Sequence, residues 1–194
     1  MRSGFILSCE STIDLPYSYC EQRDIPVLFY SYQVDGVSYE DDMGRDPAAL
    51  PRFYGFLDEG KLPTTAQLNE FQYESFFDAL LQQGDVLHIA FGSGMTASVQ
   101  NAMLAAETLR EKYPEDELYL VVGTDMFLSF REWHEYKYLL DNCTLAVLSR
   151  ETDDRGEILS FKRSLENEDG ARIRLIEHEP LPMSSAEIRA MLPK

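Results

Sequence analysis

The most constraining stretch of this chain is Val86-Leu87-His88-Ile89-Ala90-Phe91, a near-continuous apolar run. It passes directly into Gly92-Ser93-Gly94-Met95-Thr96-Ala97-Ser98 and a helical pattern reaching about Tyr113. An apolar run without alternation marks a strand covered on both faces, as in a parallel sheet. A strand, a glycine-containing loop and a helix N-terminus in that order offer free backbone N–H groups and the positive end of a helix dipole, a geometry suited to a phosphate or a carboxylate. A second such run, Leu118-Tyr119-Leu120-Val121-Val122, closes at Gly123-Thr124-Asp125, and further strand patterns occupy 5–8, 144–148 and 172–176. Strands alternating with helices imply an α/β fold with a mostly parallel sheet and helices on both faces.

Local signals fill in the rest. Asp35-Gly36 stands between the β-branched and aromatic run 25–34 and Val37-Ser38-Tyr39, which is the signature of a two-residue hairpin. Asp46-Pro47 reads as an N-cap and first-turn proline for a helix carrying Leu50, Phe53, Tyr54 and Leu57, and a short helix is expected near 17–23. Residues 61–67 read as a polar linker before an amphipathic helix with Phe71, Phe76, Phe77, Leu80 and Leu81, and 151–169 as charged helix and loops. Ser184 and Glu187 have capping-box spacing at the start of a last helix.

The 194 residues, 44% of them hydrophobic, suffice for one or two cores. The formal charge of −17 disfavours nucleic acid and anionic membrane surfaces as partners. That charge is uneven: seven basic and twenty acidic side chains fall in 1–118, against ten and fourteen in 119–194. Cys9, Cys20 and Cys143 are an odd number without a C-x-x-C pair, so neither a disulfide framework nor a zinc site is indicated and a reducing cytoplasm fits best. No stretch approaches the length of a membrane span, and no metal or cofactor is implied.

Residues 1 to about 118 resemble the N-terminal part of the DegV family of bacterial fatty-acid-binding proteins. The carriers are Glu10-Ser11-Thr12-Ile13-Asp14-Leu15-Pro16, Asp35-Gly36-Val37-Ser38-Tyr39, Phe53-Tyr54, Leu62-Pro63-Thr64-Thr65-Ala66-Gln67 and Gly92-Ser93-Gly94-Met95-Thr96-Ala97-Ser98, followed by Ala105-Ala106-Glu107. The resemblance implies a long-chain fatty acid as partner, its carboxylate held by hydroxyls and backbone N–H groups, with Thr65 and Ser93 at the family's threonine and loop serine. Ala66 stands where that family usually has a serine and Leu68 where a proline is common, so one donor is expected to be missing.

Residues 119–194 resemble instead the C-terminal part of bacterial nicotinate-nucleotide adenylyltransferase. Here the carriers are Val121-Val122-Gly123-Thr124-Asp125-Met126, Trp133, Leu145-Ala146-Val147-Leu148-Ser149-Arg150 and Met183-Ser184-Ser185-Ala186-Glu187-Ile188-Arg189. By that resemblance Gly123, Asp125 and Trp133 would line a nucleotide pocket, and Ser184, Ser185 and Arg189 would contact phosphate. The catalytic H-x-G-H loop of that family has no counterpart among His88, His134 and His178. The chain thus reads as a chimera joined within the strand 118–122, with a DegV-like half-domain at 1–118 and a transferase-like segment at 119–194 that could share one sheet. Its expected function is fatty-acid binding, impaired by loss of the DegV covering domain, in a chain that leans away from being an enzyme. The alternative is a nucleotide-binding remnant, or adenylyltransferase activity in NAD biosynthesis, with a nucleotide as partner.

Each of these residues also has an ordinary role. Thr65 and Ser93 could satisfy turns, Ser184 and Ser185 could cap a helix beside a surface Arg189, and Trp133 could be core among Phe130, Tyr136 and Tyr138. His88 is expected to be a satisfied core histidine, and Cys9 an inert thiol.

Overall fold

A computed structural model of the chain describes residues 4–91, 98–133, 135–149 and 155–176. The described residues form a mixed α/β fold with two parallel three-stranded sheets and one antiparallel one. Backbone contacts divide it into two compact units, Met1–Pro114 and Glu115–Lys194.

In the first unit, β1 (Ile6–Glu10) is the middle strand of a parallel sheet, flanked by β2 (Val27–Leu28) and β6 (Val86–Ile89). The register sets Ser8 opposite His88 and Cys9 opposite both Val27 and Ile89. Between β1 and β2 runs α1 (Tyr17–Glu21), which buries Cys20. The apolar run at 86–91 therefore delivers its strand, and the expected helix after it is α4 (Ser98–Lys112).

The second sheet of this unit is antiparallel, with β3 (Ser31–Val34) between β4 (Val37–Glu40) and β5 (Thr64–Ala66). Asp35 and Gly36 have φ of 50° and 78°, the pair of positive values that a type I′ turn needs, so the hairpin forms as its sequence signals. Tyr32 stacks on Tyr39 across the hairpin at 5.4 Å and receives the edge of Phe53 from α2 (Ala49–Asp58). Two expectations are corrected here. The polar stretch 61–67 contains β5, because Thr64, Thr65 and Ala66 pair their backbone with Gln33, Tyr32 and Ser31. Asp46 does not begin α2: its Oδ1 accepts the Ala48 N–H at 2.9 Å in the turn ahead of the helix, which starts at Ala49.

Helix α3 (Glu70–Leu81) is fixed at its start by a reciprocal capping box, the Asn69 side chain accepting the Gln72 N–H and the Gln72 side chain accepting the Asn69 N–H, both at 3.0 Å. Helices α3 and α4 pack together, with Leu68, Tyr73, Ala102 and Ala105 in the core and Leu28, Tyr30 and Phe77 against them. Toward the other end of α3, Asp78 accepts from Lys112 Nζ at 2.5 Å and from the Tyr113 hydroxyl at 2.8 Å.

The second unit carries a parallel sheet in the order β7 (Tyr119–Gly123), β8 (Thr144–Leu148), β9 (Arg172–Ile176). Short helices α5 (Thr124–Leu128) and α6 (Tyr136–Asn142) lie between the first two strands, and α7 (Arg155–Asp169) connects the last two. Where charge suggested helix and loops, Ile158 and Leu165 of α7 are buried and Phe161 meets the buried Phe127 edge-on at 5.3 Å. The final helix expected from Ser184 lies outside the described residues.

Candidate functional site

In the first unit the side chain of Glu10, the last residue of β1, gathers several partners. Its exposure is 1%, an environment that an unpaired carboxylate does not tolerate. Oε2 accepts the Phe91 backbone N–H at 2.9 Å, with the hydroxyls of Tyr30 and Thr12 each 3.4 Å away, and Oε1 accepts the Tyr73 hydroxyl. Ser11 Oγ in turn accepts the Tyr30 N–H at 3.1 Å. One carboxylate thus joins the end of β1, the segment after β2, helix α3 and the segment after β6.

Burial pushes the Glu10 carboxyl upward in pKa, but the facing His88, the Tyr73 hydroxyl and the Phe91 N–H outweigh it and hold the group below its ordinary value. Tyr73 is raised by its own burial and by the adjacent carboxylate. His88 answers the expectation of a satisfied core histidine only on one side. Nδ1 lies 3.0 Å from Ser8 Oγ, whereas the buried Nε2 has no hydrogen-bond partner among the described residues and faces Glu10 Oε1 at 3.6 Å, a contact longer than a hydrogen bond. The rings of Tyr73, Phe76 and Phe77 surround it edge-on.

Thr65 is exposed on β5, opposite Tyr32 of β3. The chain beyond it is anchored inward: Leu68 is buried and its carbonyl accepts the Asn101 side-chain N–H from α4 at 2.7 Å. The segment that follows β5 and the first turn of α4 are therefore tied by a direct bond. Ser93 lies outside the described residues, but both of its flanks are held: Phe91 by Glu10, and Ser98 by complete burial at the start of α4.

In the second unit, Gly123 ends β7 in the open, and a Cβ built there would meet nothing within 4 Å. Asp125 is exposed in the first turn of α5, its carbonyl accepting from Ser129 Oγ at 3.0 Å. Trp133 is half-buried with its ring 5.0 Å from that of Phe130, which is completely buried. Ser184, Ser185 and Arg189 lie outside the described residues.

Glu10 and Asn101 are the residues whose long-range side-chain bonds pattern reading misses. Cys9, Cys20 and Cys143 are buried thiols; burial raises Cys9 to about 12, with Cys20 beside it, and Cys143 to about 11. Among the described residues no group of three His, Cys, Asp or Glu could hold a metal ion, and no helix is long and apolar enough to cross a membrane.

Comparison with known proteins gives two families. The DegV family model, described as an uncharacterised protein family, matches residues 7–129, and the cytidylyltransferase-like model matches 76–191. Over 119 residues the chain is 33% identical to a DegV domain-containing protein of Clostridium perfringens, covering 60% of this chain and 40% of that protein. Over 98 residues it is 35% identical to a probable nicotinate-nucleotide adenylyltransferase of Pelobacter propionicus, covering 43% of this chain and 45% of that protein. It thus spans less than half the length of either relative. A stearic acid-binding protein of Eubacterium ventriosum has the same fold, with a TM-score of 0.51 at 19% identity, covering 85% of this chain and 48% of that chain.

Proposed function

We propose, for a chain that belongs to the DegV family through residues 7–129 and to the cytidylyltransferase-like family through residues 76–191, that its first unit binds a long-chain fatty acid by the carboxylate. Thr65 and Ser93 are the hydroxyl donors in this reading. The observation that carries it is the family membership of the first unit combined with the placement of Thr65, which is exposed on a strand whose continuation is bonded to α4 through Asn101. The stearic acid bound by the Eubacterium ventriosum protein is a ligand of the proposed class.

Binding is weakened relative to a fully equipped site. Ala66 supplies no hydroxyl, and one absent neutral hydrogen bond lowers stability of the complex by roughly 0.5–1.5 kcal/mol, with more lost when the acceptor is charged. Titration of delipidated protein with palmitate, comparing wild type with T65A and S93A, tests the reading.

A second reading has its own support. The second unit belongs to the cytidylyltransferase-like family, and Gly123 sits in open space at the C-terminal end of a parallel strand, where a ligand's phosphate or ring can approach the backbone closely. Gly123, Asp125, Trp133, Ser184, Ser185 and Arg189 would then form a nucleotide site. Pyrophosphate release from ATP, magnesium and nicotinate mononucleotide tests for turnover, and equilibrium dialysis with ATP tests for a binding remnant.

A further inference from the structure

We infer that the outer face of α2 is a docking site for a basic amphipathic helix of a partner protein, whose apolar stripe lies on Leu50, Tyr54 and Leu57 and whose cations meet the carboxylates around them. The inference is independent of what the first unit binds at Thr65.

Helix α2 has 10 residues and none of them is buried. Its inner face rests on the hairpin: Phe53 meets Tyr32 edge-on at 5.2 Å, Phe56 lies 5.3 Å from Tyr39, and the Arg52 guanidinium sits over the Tyr39 ring at 5.6 Å. Leu50, Tyr54 and Leu57 follow one another at i, i+4 and i+7, so they form a stripe along one face, and they are 61%, 59% and 41% exposed. Lys61 ties the end of the helix to the hairpin turn. Its N–H donates to the Phe56 carbonyl at 2.9 Å and its Nζ pairs with Asp35 at 3.3 Å. Just after that turn Val37, on the Tyr39 side of β4, is exposed as well. Single exposed apolar side chains are ordinary, but a row of them at helical spacing is the mark of an interaction surface.

Charge selects the occupant. Residues 35–62, which carry the hairpin turn and α2, hold seven acidic and three basic side chains. All three cations are already held within the unit, Arg45 by Glu40, Arg52 by Asp46, and Lys61 by Asp35 and Glu59. The excess carboxylates are therefore the charge that a ligand meets. A second copy of the chain would bring the same excess face to face with itself, and an anionic membrane surface would be repelled by it. A helix that flanks an apolar stripe with lysines or arginines answers both features of the surface. Its stripe covers Leu50, Tyr54 and Leu57, and its cations meet carboxylates such as Asp58, which is exposed directly after Leu57.

The test is fluorescence anisotropy of a labelled Leu/Lys peptide of about fifteen residues, with leucines at i, i+3, i+4 and i+7 spacing, titrated with the full chain at physiological ionic strength. Two control peptides accompany it: the same residues reordered so that no apolar face forms, and a Leu/Glu peptide with the original leucine pattern. The protein variants are L50S/L57S and D58K in α2, and F71S, which alters another exposed apolar side chain at the start of α3. Circular dichroism checks that each folds, and Y54S replaces L50S/L57S if that variant does not. The expected result is saturable one-to-one binding of the Leu/Lys peptide, weakened about tenfold or more in L50S/L57S, about threefold in D58K and not at all in F71S, and weakened by added salt. Neither control peptide should bind comparably. No saturable binding of the Leu/Lys peptide overturns the inference, as does equal binding of either control peptide or equal binding by the folded α2 stripe variant. Sedimentation velocity decides against the remaining occupant: a wild-type dimer that the stripe variant turns into a monomer assigns the face to a second copy and overturns the inference too. Palmitate is absent from these assays, so their outcome is separate from that of the fatty-acid reading.

Discussion

Glu10 and Phe91 lie 81 positions apart in the chain, and the buried carboxylate of the first accepts the backbone N–H of the second at 2.9 Å. This bond joins the end of the first strand to the exit from the sixth.

The ionised state of Glu10 makes stability depend on acid. Its folded pKa is depressed below the ordinary 4.5, so the unfolded chain takes up a proton before the folded one does. The contribution is complete above about pH 4.5 and is lost as pH falls through the folded value. Asp78, lowered by Lys112 and Tyr113, acts with the same sign at the surface. Melting temperature measured between pH 7 and pH 3 should drop more steeply for wild type than for E10Q, and parallel curves would refute a depressed Glu10.

Tyr73→Phe removes one hydroxyl donor from that buried carboxylate while keeping the ring packed against Phe77. A loss of about 1–3 kcal/mol is expected, because an acceptor in the core is left short of a partner. Leu68→Ala acts through a different mechanism, a cavity at a fully buried position, and should lose about 2–5 kcal/mol. Urea unfolding followed by circular dichroism measures both.

Asn69→Ala deletes one half of the α3 capping box. The expected loss is about 1 kcal/mol, seen as a lower urea midpoint with the same slope.

All three cysteines are buried, and burial keeps the Cys9 and Cys143 thiols protonated at neutral pH. A thiol reagent such as iodoacetamide should label none of them in the native protein at pH 7.5 over an hour, and all three in urea, with the modified positions read by mass spectrometry.

Sequence revealed what local chemistry decides. The Asp35-Gly36 turn needs only its own two positive φ values, and the strand at 86–89 needs only a near-continuous apolar run. It concealed what distant partners decide. β5 is three residues long, exposed at Thr64 and Thr65, and becomes a strand only because β3 offers an edge more than thirty residues upstream. No local pattern around Glu10 tells that Tyr73, 63 positions on, and Phe91 converge on it. Asp46-Pro47 has the composition of a helix start, yet Asp42 accepts the Asp46 N–H and Asp46 that of Ala48, so turns occupy the chain before the helix begins. Of the proposed ligand donors, Thr65 is placed and open, and it was named through a motif rather than through any periodicity.

The central claim is that the first unit holds a fatty-acid carboxylate with Thr65 among its donors. Calorimetric titration of delipidated protein with palmitate tests it directly. The expected result is saturable binding to one site per chain, with affinity reduced roughly ten- to hundredfold in T65A, the effect of losing one hydrogen bond to a charged acceptor. No saturable heat in wild type, or identical isotherms for wild type and T65A, would contradict it.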